Sequence, residues 1–389
     1  MITTINNKHK KLNVPNLRFP EFQGEWEEYR IKDITENISS GRCKSHSSNG
    51  KYNLYGSTGI IGKTNEACYD GNLVLVARVG ANAGSLQIIN EPCGITDNTL
   101  IIKPKEVDAQ YIYYFLQHFN LNRLIFGSGQ PLITGSMLKK VKVSLGTIQE
   151  QNKLTRLLSL LDERIATQNK IIDKLQSLIK GLEDKLLDNP LWEKTYLRSF
   201  MQFFSTNSLS WEQLSYKEGE IRNLHYGLIH GFQTRGINSA SLPMIKNEAV
   251  PKQYTLCQVG DVAFADASED TGEIAKSVEF VDTIEGDTIC GLHTIHGRDI
   301  KNRTVVGFKG FAFNSRYFHN QIKRLAQGTK VFSITSNNLS SCYVYLPDLE
   351  TQKATVKLLK AYEAQLLVSR MTLKQYENQK QYLLRQMFI

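Results

Sequence analysis

From Leu158 onward, apolar residues return at alternating spacings of three and four: Leu158, Leu161, Ile165, Ile172, Leu175, Ile179, Leu182 and Leu186, with Gln168 as the polar member. A seven-residue period of this kind predicts a long helix with one seam turned to a partner. No proline interrupts it before Asp188-Asn189-Pro190, which predicts its end. A second seam has the same spacing: Leu359, Tyr362, Leu366, Ser369, Leu373, Tyr376, Lys380, Leu383 and Met387. Each helix of about 34 residues would be roughly 50 Å long. That exceeds the usual length of a globular helix, so antiparallel pairing of the two within the chain is the expected use of the seams. Polar Gln168, Ser369 and Lys380 are expected to set register at some cost in stability. Ahead of the first seam, residues 140–145 predict a strand, and the aromatic-rich stretch 111–126 predicts a helix.

The seams belong to a repeat. Residues 127–187 match 328–388 at a constant offset of 201 without a gap, through Gly127/Gly328, Ile133/Ile334, Thr134/Thr335, Leu138/Leu339, Val143/Val344, Leu145/Leu346, Gln151/Gln352 and Leu158/Leu359. A weaker match opens each half: Trp26-Glu27 with Ile31 and Ile34 parallels Trp192-Glu193 with Leu197 and Phe200, at an offset of 166. Between these ends the two bodies have diverged, and the second is 35 residues longer. A duplicated frame with unlike contents suits a scaffold that carries two different reading heads. A duplicated enzyme would be expected to keep its chemical residues in both copies.

Composition adds a direction. With 389 residues, 41% of them apolar, the chain can bury two or three cores. No stretch approaches the roughly 18–20 apolar residues of a membrane span, and residues 1–8 lack a continuous apolar run, so a cytoplasmic protein with no membrane partner is expected. Six cysteines lie at least 25 positions apart, which rules out a Cys-x-x-Cys motif and leaves buried free thiols as the expected state. The net charge of +9 suits a polyanionic partner. It is uneven: +5 over residues 1–153, +1 over 154–187, −2 over 188–352 and +5 over 353–389. Within the acidic segment, residues 298–330 carry eight basic side chains (Arg298, Lys301, Arg303, Lys309, Arg316, Lys323, Arg324 and Lys330) against one acidic.

Fragments that resemble catalytic motifs fail on spacing or context. Gly56 to Thr64 approaches a phosphate-binding loop, but Ser57 stands where the first glycine is required and Asp70-Gly71 cuts short the helix that should follow. Asp188-Asn189-Pro190-Leu191-Trp192 resembles an adenine methyltransferase tetrad, yet it sits at a helix stop where punctuation accounts for it. Gly127-Ser128-Gly129 follows a helical rather than a strand-like stretch. His293 and His296 lie three apart, and no further His or Cys nearby completes a zinc set. No catalytic residue, metal or cofactor is expected.

The run Gly129 to Thr134, the strand ending at Leu145 and then Ile148-Gln149-Glu150-Gln151 resemble the junction between a target-recognition domain and a conserved helical region in type I restriction-modification specificity subunits. Thr335 to Leu346 followed by Pro347 to Gln352 looks like the same junction again. The openings Leu17 to Phe22, Tyr55 to Gly62 and Leu75 to Gly80 are also similar to that family. The second body departs from the pattern: Phe264-Ala265-Asp266-Ala267-Ser268 stands where an Arg-Gly would match Arg78 to Gly80, and Val331-Phe332-Ser333 replaces Gln130-Pro131-Leu132. The resemblance implies an α+β fold with two globular target-recognition domains in pseudo-twofold arrangement, separated by two long antiparallel coiled-coil helices. It divides the chain into an N-terminal tail (1–25), a first recognition domain (26–146), a spacer helix (147–187), a second recognition domain (188–346) and a second spacer helix (347–389). It further implies a non-catalytic subunit that reads a bipartite, asymmetric target on double-stranded DNA for two modification (methyltransferase) subunits and two restriction (translocase and nuclease) subunits.

Reading DNA needs cations for phosphates and Arg, Asn, Gln, Ser or Thr on loops for base edges. The glycine-flanked polar stretches nominate Ser57, Thr58, Arg78, Asn82, Ser85, Asn98, Ser128 and Gln130 in the first body. In the second they nominate Gln233, Thr234, Arg235, Ser268, His293, Arg298, Lys301, Arg303, Thr329 and Lys330. A two-headed protein–protein adaptor on the same coiled scaffold is the alternative. Binding to duplex DNA with a steep salt dependence separates the two.

Overall fold

The computed structural model describes residues 12–43, 49–125, 130–232, 235–282, 284 and 286–389. Contacts divide the chain into two units, Met1–Asn169 with Thr372–Ile389, and Lys170–Met371.

In chain order the first unit holds β1 (Glu27–Arg30), β2 (Thr35–Ser40), β3 (Tyr52–Gly56), β4 (Gly59–Thr64), β5 (Asn72–Ala77), β6 (Leu86–Asn90), β7 (Cys93–Ile95), β8 (Thr99–Pro104), α1 (Ala109–Phe119), α2 (Gly135–Lys140) and β9 (Lys142–Leu145), and then enters the long α3 (Ile148–Leu187). An antiparallel sheet runs in the order β2-β8-β5-β6, and a smaller one in the order β4-β3-β7, with β3 and β7 parallel. After Asn72, strand β5 is an unbroken apolar run from Leu73 to Ala77, which suits a strand with both faces covered. Val74 and Val76 meet Ile112, Phe115 and Leu116 of α1, while Leu73 and Leu75 join Ile89, Ile95 and Ile101 on the other side. Helix α1 starts where the Asp108 side chain accepts the Gln110 N–H, satisfying one of the donors a helix start leaves open.

The second unit leaves α3 and runs through β10 (Glu193–Tyr196), β11 (Met201–Phe204), β12 (Leu214–Ser215), β13 (Arg222–Leu224), α4 (Tyr226–Gly231), β14 (Gly236–Ile237), β15 (Met244–Ile245), β16 (Val262–Ala265), β17 (Ala267–Ser268), β18 (Ser277–Phe280), β19 (Thr288–Cys290), β20 (Thr294–Asp299), α5 (Phe308–Ala312), α6 (Arg316–Leu325), β21 (Phe332–Ser333), α7 (Ser336–Ser341) and β22 (Tyr343–Leu346) into α8 (Leu349–Met387). Its main sheet has the order β11-β20-β16-β18-β14, beside a four-stranded sheet β12-β15-β13-β19 in which β13 and β19 are parallel. The repeat is visible element by element. Strands β1 and β10 pair antiparallel with β9 and β22, with Glu27 opposite Leu145 and Glu193 opposite Leu346. Thr134 and Thr335 cap α2 and α7 by accepting the N–H three residues on, from Met137 and Asn338.

The seams pair antiparallel within each unit. In the first, Leu154 and Leu158 share a core with Leu384 and Met387, and Lys380 reaches Asp162 at 2.6 Å. In the second, Leu182 and Leu187 pack with Val356 and Leu359. Positions that advance along α3 thus meet positions that retreat along α8. Leu158, Leu161, Ile172, Leu175, Ile179 and Leu359 are buried, and Ile165, Leu182, Leu366, Leu373 and Leu383 are partly so. The polar seam member Lys380 has its charge met by Asp162, which limits the cost of placing it there.

Candidate nucleic-acid interface

In the first unit four stretches distant in sequence converge at one edge of the sheets. Ser57 and Thr58 form the turn from β3 to β4, Arg78 to Ser85 connect β5 to β6, and Asn98 precedes β8. The Ser57 hydroxyl donates to the Asn98 carbonyl at 3.2 Å, and the Arg78 N–H donates to the same carbonyl at 2.9 Å. Arg78 in turn accepts the Ile133 N–H at 2.9 Å, and Gly80 donates to Pro131 at 3.1 Å, which draws in the segment that begins at Gln130. The connection can turn so tightly because Gly80 and Gly84 adopt the left-handed region, at φ 77° and 89°. Thr58, Asn82, Ser85, Asn98 and Gln130 are exposed and Ser57 is half-buried. Arg78 is half-buried, its Nε has no hydrogen-bond partner, and no carboxylate pairs with it among the described residues. A guanidinium left with unspent donors at a polar loop edge can serve a base or a phosphate.

The second unit repeats this frame with other side chains. The Asp266 N–H donates to the His293 carbonyl at 3.0 Å, and the Ile334 N–H donates to the Asp266 carbonyl at 2.9 Å. By backbone bonding, Asp266 therefore stands where Arg78 stands in the first unit, and His293 stands where Asn98 does. The pair is linked through its side chains as well, His293 Nδ1 to Asp266 Oδ1 at 3.1 Å. His293 is exposed and held at φ 55°, a left-handed conformation that costs a side-chain-bearing residue energy. Beside them, β17 pairs with β21, so half-buried Ser268 lies opposite Phe332, and exposed Thr329 and Lys330 precede that strand.

Other nominated residues are committed elsewhere. Arg235 reaches Glu363 at 2.8 Å and Glu183 at 2.9 Å, one carboxylate on each long helix. Arg298 grips Asp261 through Nε and Nη2, at 2.8 and 2.7 Å, and Arg303 pairs with Glu193 at 2.6 Å. Lys301 is exposed. The basic run at 298–330 is therefore not a continuous free stripe. Lys309, counted in it, is buried in the core 3.0 Å from Glu279, because α5 turns that face inward. Burial pushes the Glu279 carboxyl above its ordinary range even against the charge of Lys309 and the N–H groups of Gly307 and Gly310. Ser128, Gln233 and Thr234 lie outside the described residues.

The near-miss motifs resolve as scaffold. Gly56 to Thr64 is the β3–β4 hairpin, with its turn at Ser57-Thr58, and Asp188 to Trp192 is the link from α3 to β10. The histidine reading changes: His296 is buried and meets Cys257 and Cys290, cysteines 39 and 6 positions away, with ligand atoms within 4.8 Å of one another. Strand pairing brings Cys257 to the other two, which lie only six positions apart in sequence. Among the described residues, no helix is long and apolar enough to cross a membrane.

Two antiparallel-helix units, each with a β-rich body and a polar loop edge, define a two-headed reader. Comparison with known proteins shows what the chain is similar to. Residues 23–177 match the type I restriction modification DNA specificity domain. The chain is 26% identical over 399 aligned positions to the type I restriction enzyme MjaVIII specificity subunit of Methanocaldococcus jannaschii, covering 94% of this chain and 91% of that one. It is 27% identical over 303 positions to the putative type I restriction enzyme MjaX specificity subunit of the same organism, covering 73% and 68%. In fold it resembles the S subunit of the type I restriction-modification system from M. genitalium, with a TM-score of 0.64 at 16% identity over 97% of this chain and 99% of that one. By family model, by relatives and by fold, the chain is similar to type I restriction-modification specificity subunits, the resemblance that its repeated junctions led us to expect.

Proposed function

We infer that this chain supplies the DNA address of a type I restriction-modification complex. The observation that carries the reading is the matched pair of loop edges. Asp266 and His293 occupy the backbone positions of Arg78 and Asn98, so one frame presents two chemistries. Arg is suited to guanine O6 and N7, whereas a carboxylate accepts from cytosine N4. Two such edges read two unlike half-sites, a bipartite and asymmetric target on double-stranded DNA.

Residues 26–146 and 188–346 are the two target-recognition domains, and 147–187 and 347–389 are the spacer helices. Arg78, Asn82, Asn98 and Gln130 in one domain, and His293, Thr329 and Lys330 in the other, face DNA. Arg235, Arg298 and Arg303 take part only where DNA displaces their carboxylates. The chain is non-catalytic and works in the cytoplasm. Adenine methylation belongs to two modification subunits, and translocation with cleavage belongs to two restriction subunits. Support for such partners lies in the relatives, which are named as subunits of type I restriction enzymes.

Methylome sequencing of cells that express the chain with its modification partner tests the reading. A methylated motif of two defined halves around unspecified base pairs is expected, and it should vanish when the chain is deleted. The chain by itself should methylate and cleave nothing, and methyl transfer by the isolated chain overturns the assignment. An adaptor for proteins would show no steep salt dependence on duplex DNA.

A further inference from the structure

Three side chains from separate segments of the second unit meet in its interior. Cys257 lies on the segment ahead of β16, Cys290 ends β19 and His296 lies on β20. All three are buried, and Cys257 and Cys290 belong to the apolar cluster of Leu224, Ile237, Val278 and Phe280. The Cys257 N–H donates to the Thr288 carbonyl at 2.8 Å, which seats the first cysteine beside the strand carrying the second. The two Sγ atoms are 3.6 Å apart, and an imidazole nitrogen of His296 completes a set within 4.8 Å. Tetrahedral zinc with Zn–S bonds of about 2.3 Å holds its sulfurs roughly 3.8 Å apart. The observed separation is within a few tenths of an ångström of that.

The surroundings also fit an ion. Asp261 Oδ2 lies 2.7 Å from His296 Nε2, the carboxylate–imidazole contact that orients metal-bound histidines. Arg298 neutralises Asp261 through two hydrogen bonds. A divalent ion with two thiolates carries no net charge, so the cluster could be loaded without burying an uncompensated one.

We propose that Cys257, Cys290 and His296 form a site for a thiophilic divalent metal ion of the zinc class in the second recognition domain. The ion forms two metal–sulfur bonds and one metal–nitrogen bond, and the two thiol protons leave to solvent with no change of oxidation state. Asp261 lies outside this set of three and acts on it through His296, whose imidazole it holds. The role is structural. Cys290 and His296 flank the turn that carries His293, each three residues from it, so the ion clamps the base of that turn.

The full chain, prepared with excess Zn²⁺ and then desalted, should retain one zinc per chain by mass spectrometry and melt several degrees higher than after chelation. Cobalt in its place should give a thiolate-to-metal charge-transfer band in the near ultraviolet. Cys257→Ser with Cys290→Ser should lose both signals, while Cys342→Ala, a buried cysteine of the same unit outside the cluster, keeps them. Should the double variant misfold, alkylation of the wild-type chain decides instead: zinc should slow modification of Cys257 and Cys290 at least tenfold. A wild-type chain that retains no metal and gives no cobalt band overturns the proposal, as does a folded double variant that still holds one equivalent. These readouts are independent of DNA, so they stand or fall apart from the functional reading.

Discussion

Arg235 Nη1 lies 2.8 Å from Glu363 Oε1 on α8, and its Nη2 lies 2.9 Å from Glu183 on α3. One guanidinium thus ties the body of the second unit to both long helices. The two carboxylates are not equivalent: Glu363 accepts a well-formed hydrogen bond, whereas Glu183 Oε1 has charge contact without one. Burial raises both carboxyls above the ordinary range, and the charge of Arg235 reverses this only in part.

Removing the shared cation should therefore cost far more than removing one anion. Arg235→Met leaves two buried carboxylates facing each other, and a loss of about 3–5 kcal/mol is expected in denaturant unfolding. Glu183→Gln leaves a balanced pair and should be neutral or stabilising near pH 7. The sign follows from linkage: a raised folded-state value gives stability at acidic pH that is lost as pH rises through that value. The advantage of Glu183→Gln over the wild type should thus be absent at acid pH and grow toward neutrality. A flat difference across that window contradicts the account.

Arg78 and Asp266 occupy the same place in the two frames, so each should govern one half-site alone. Arg78→Ala should relax reading at one position of the first half-site, worth about 1–3 kcal/mol. Asp266→Asn should alter only the second half-site, since it changes the partner that orients His293. Methylome sequencing reads both, and a change in the wrong half removes the assignment.

Whole-domain replacement extends this test. Exchanging residues 26–146 for another such domain should rewrite one half-site and leave the other intact, because the two bodies share their ends and not their loops. If both halves of the target changed, the domains would not read independently.

The cations of 298–330 should divide by burial. Lys330→Ala should weaken binding to all duplexes alike and lower the salt slope by about one, the mark of one lost phosphate contact. Lys301→Ala with Arg303→Ala should act the same way, more weakly if the pairing with Glu193 persists. Lys309→Ala should instead cost stability with no change in salt slope, since it strands the buried Glu279. Titrations of each purified variant against random duplex DNA at several salt concentrations distinguish these outcomes.

Much of the scaffold was legible in the chain itself. Seam spacing, the helix stop at Asp188-Asn189-Pro190 and the offsets of 201 and 166 are local or periodic signals. A helix or strand expresses such signals through neighbours three, four or two positions away, and α2, β9 and α3 accordingly begin 201 positions before α7, β22 and α8. The polar loops of the first body were legible for the same reason, since glycine-flanked turns are written locally. Only the tertiary structure decided who meets whom. Arg235 looked like a free cation until α3 and α8 brought Glu183 and Glu363 to it, across 52 and 128 positions. Lys309 looked exposed until α5 turned it onto Glu279. Cys257, Cys290 and His296 carried no motif because their proximity comes from pairing among β16, β19 and β20 and their flanks. Sheet register joins residues at separations set by loop length, and loop length is where the two halves of this chain diverged.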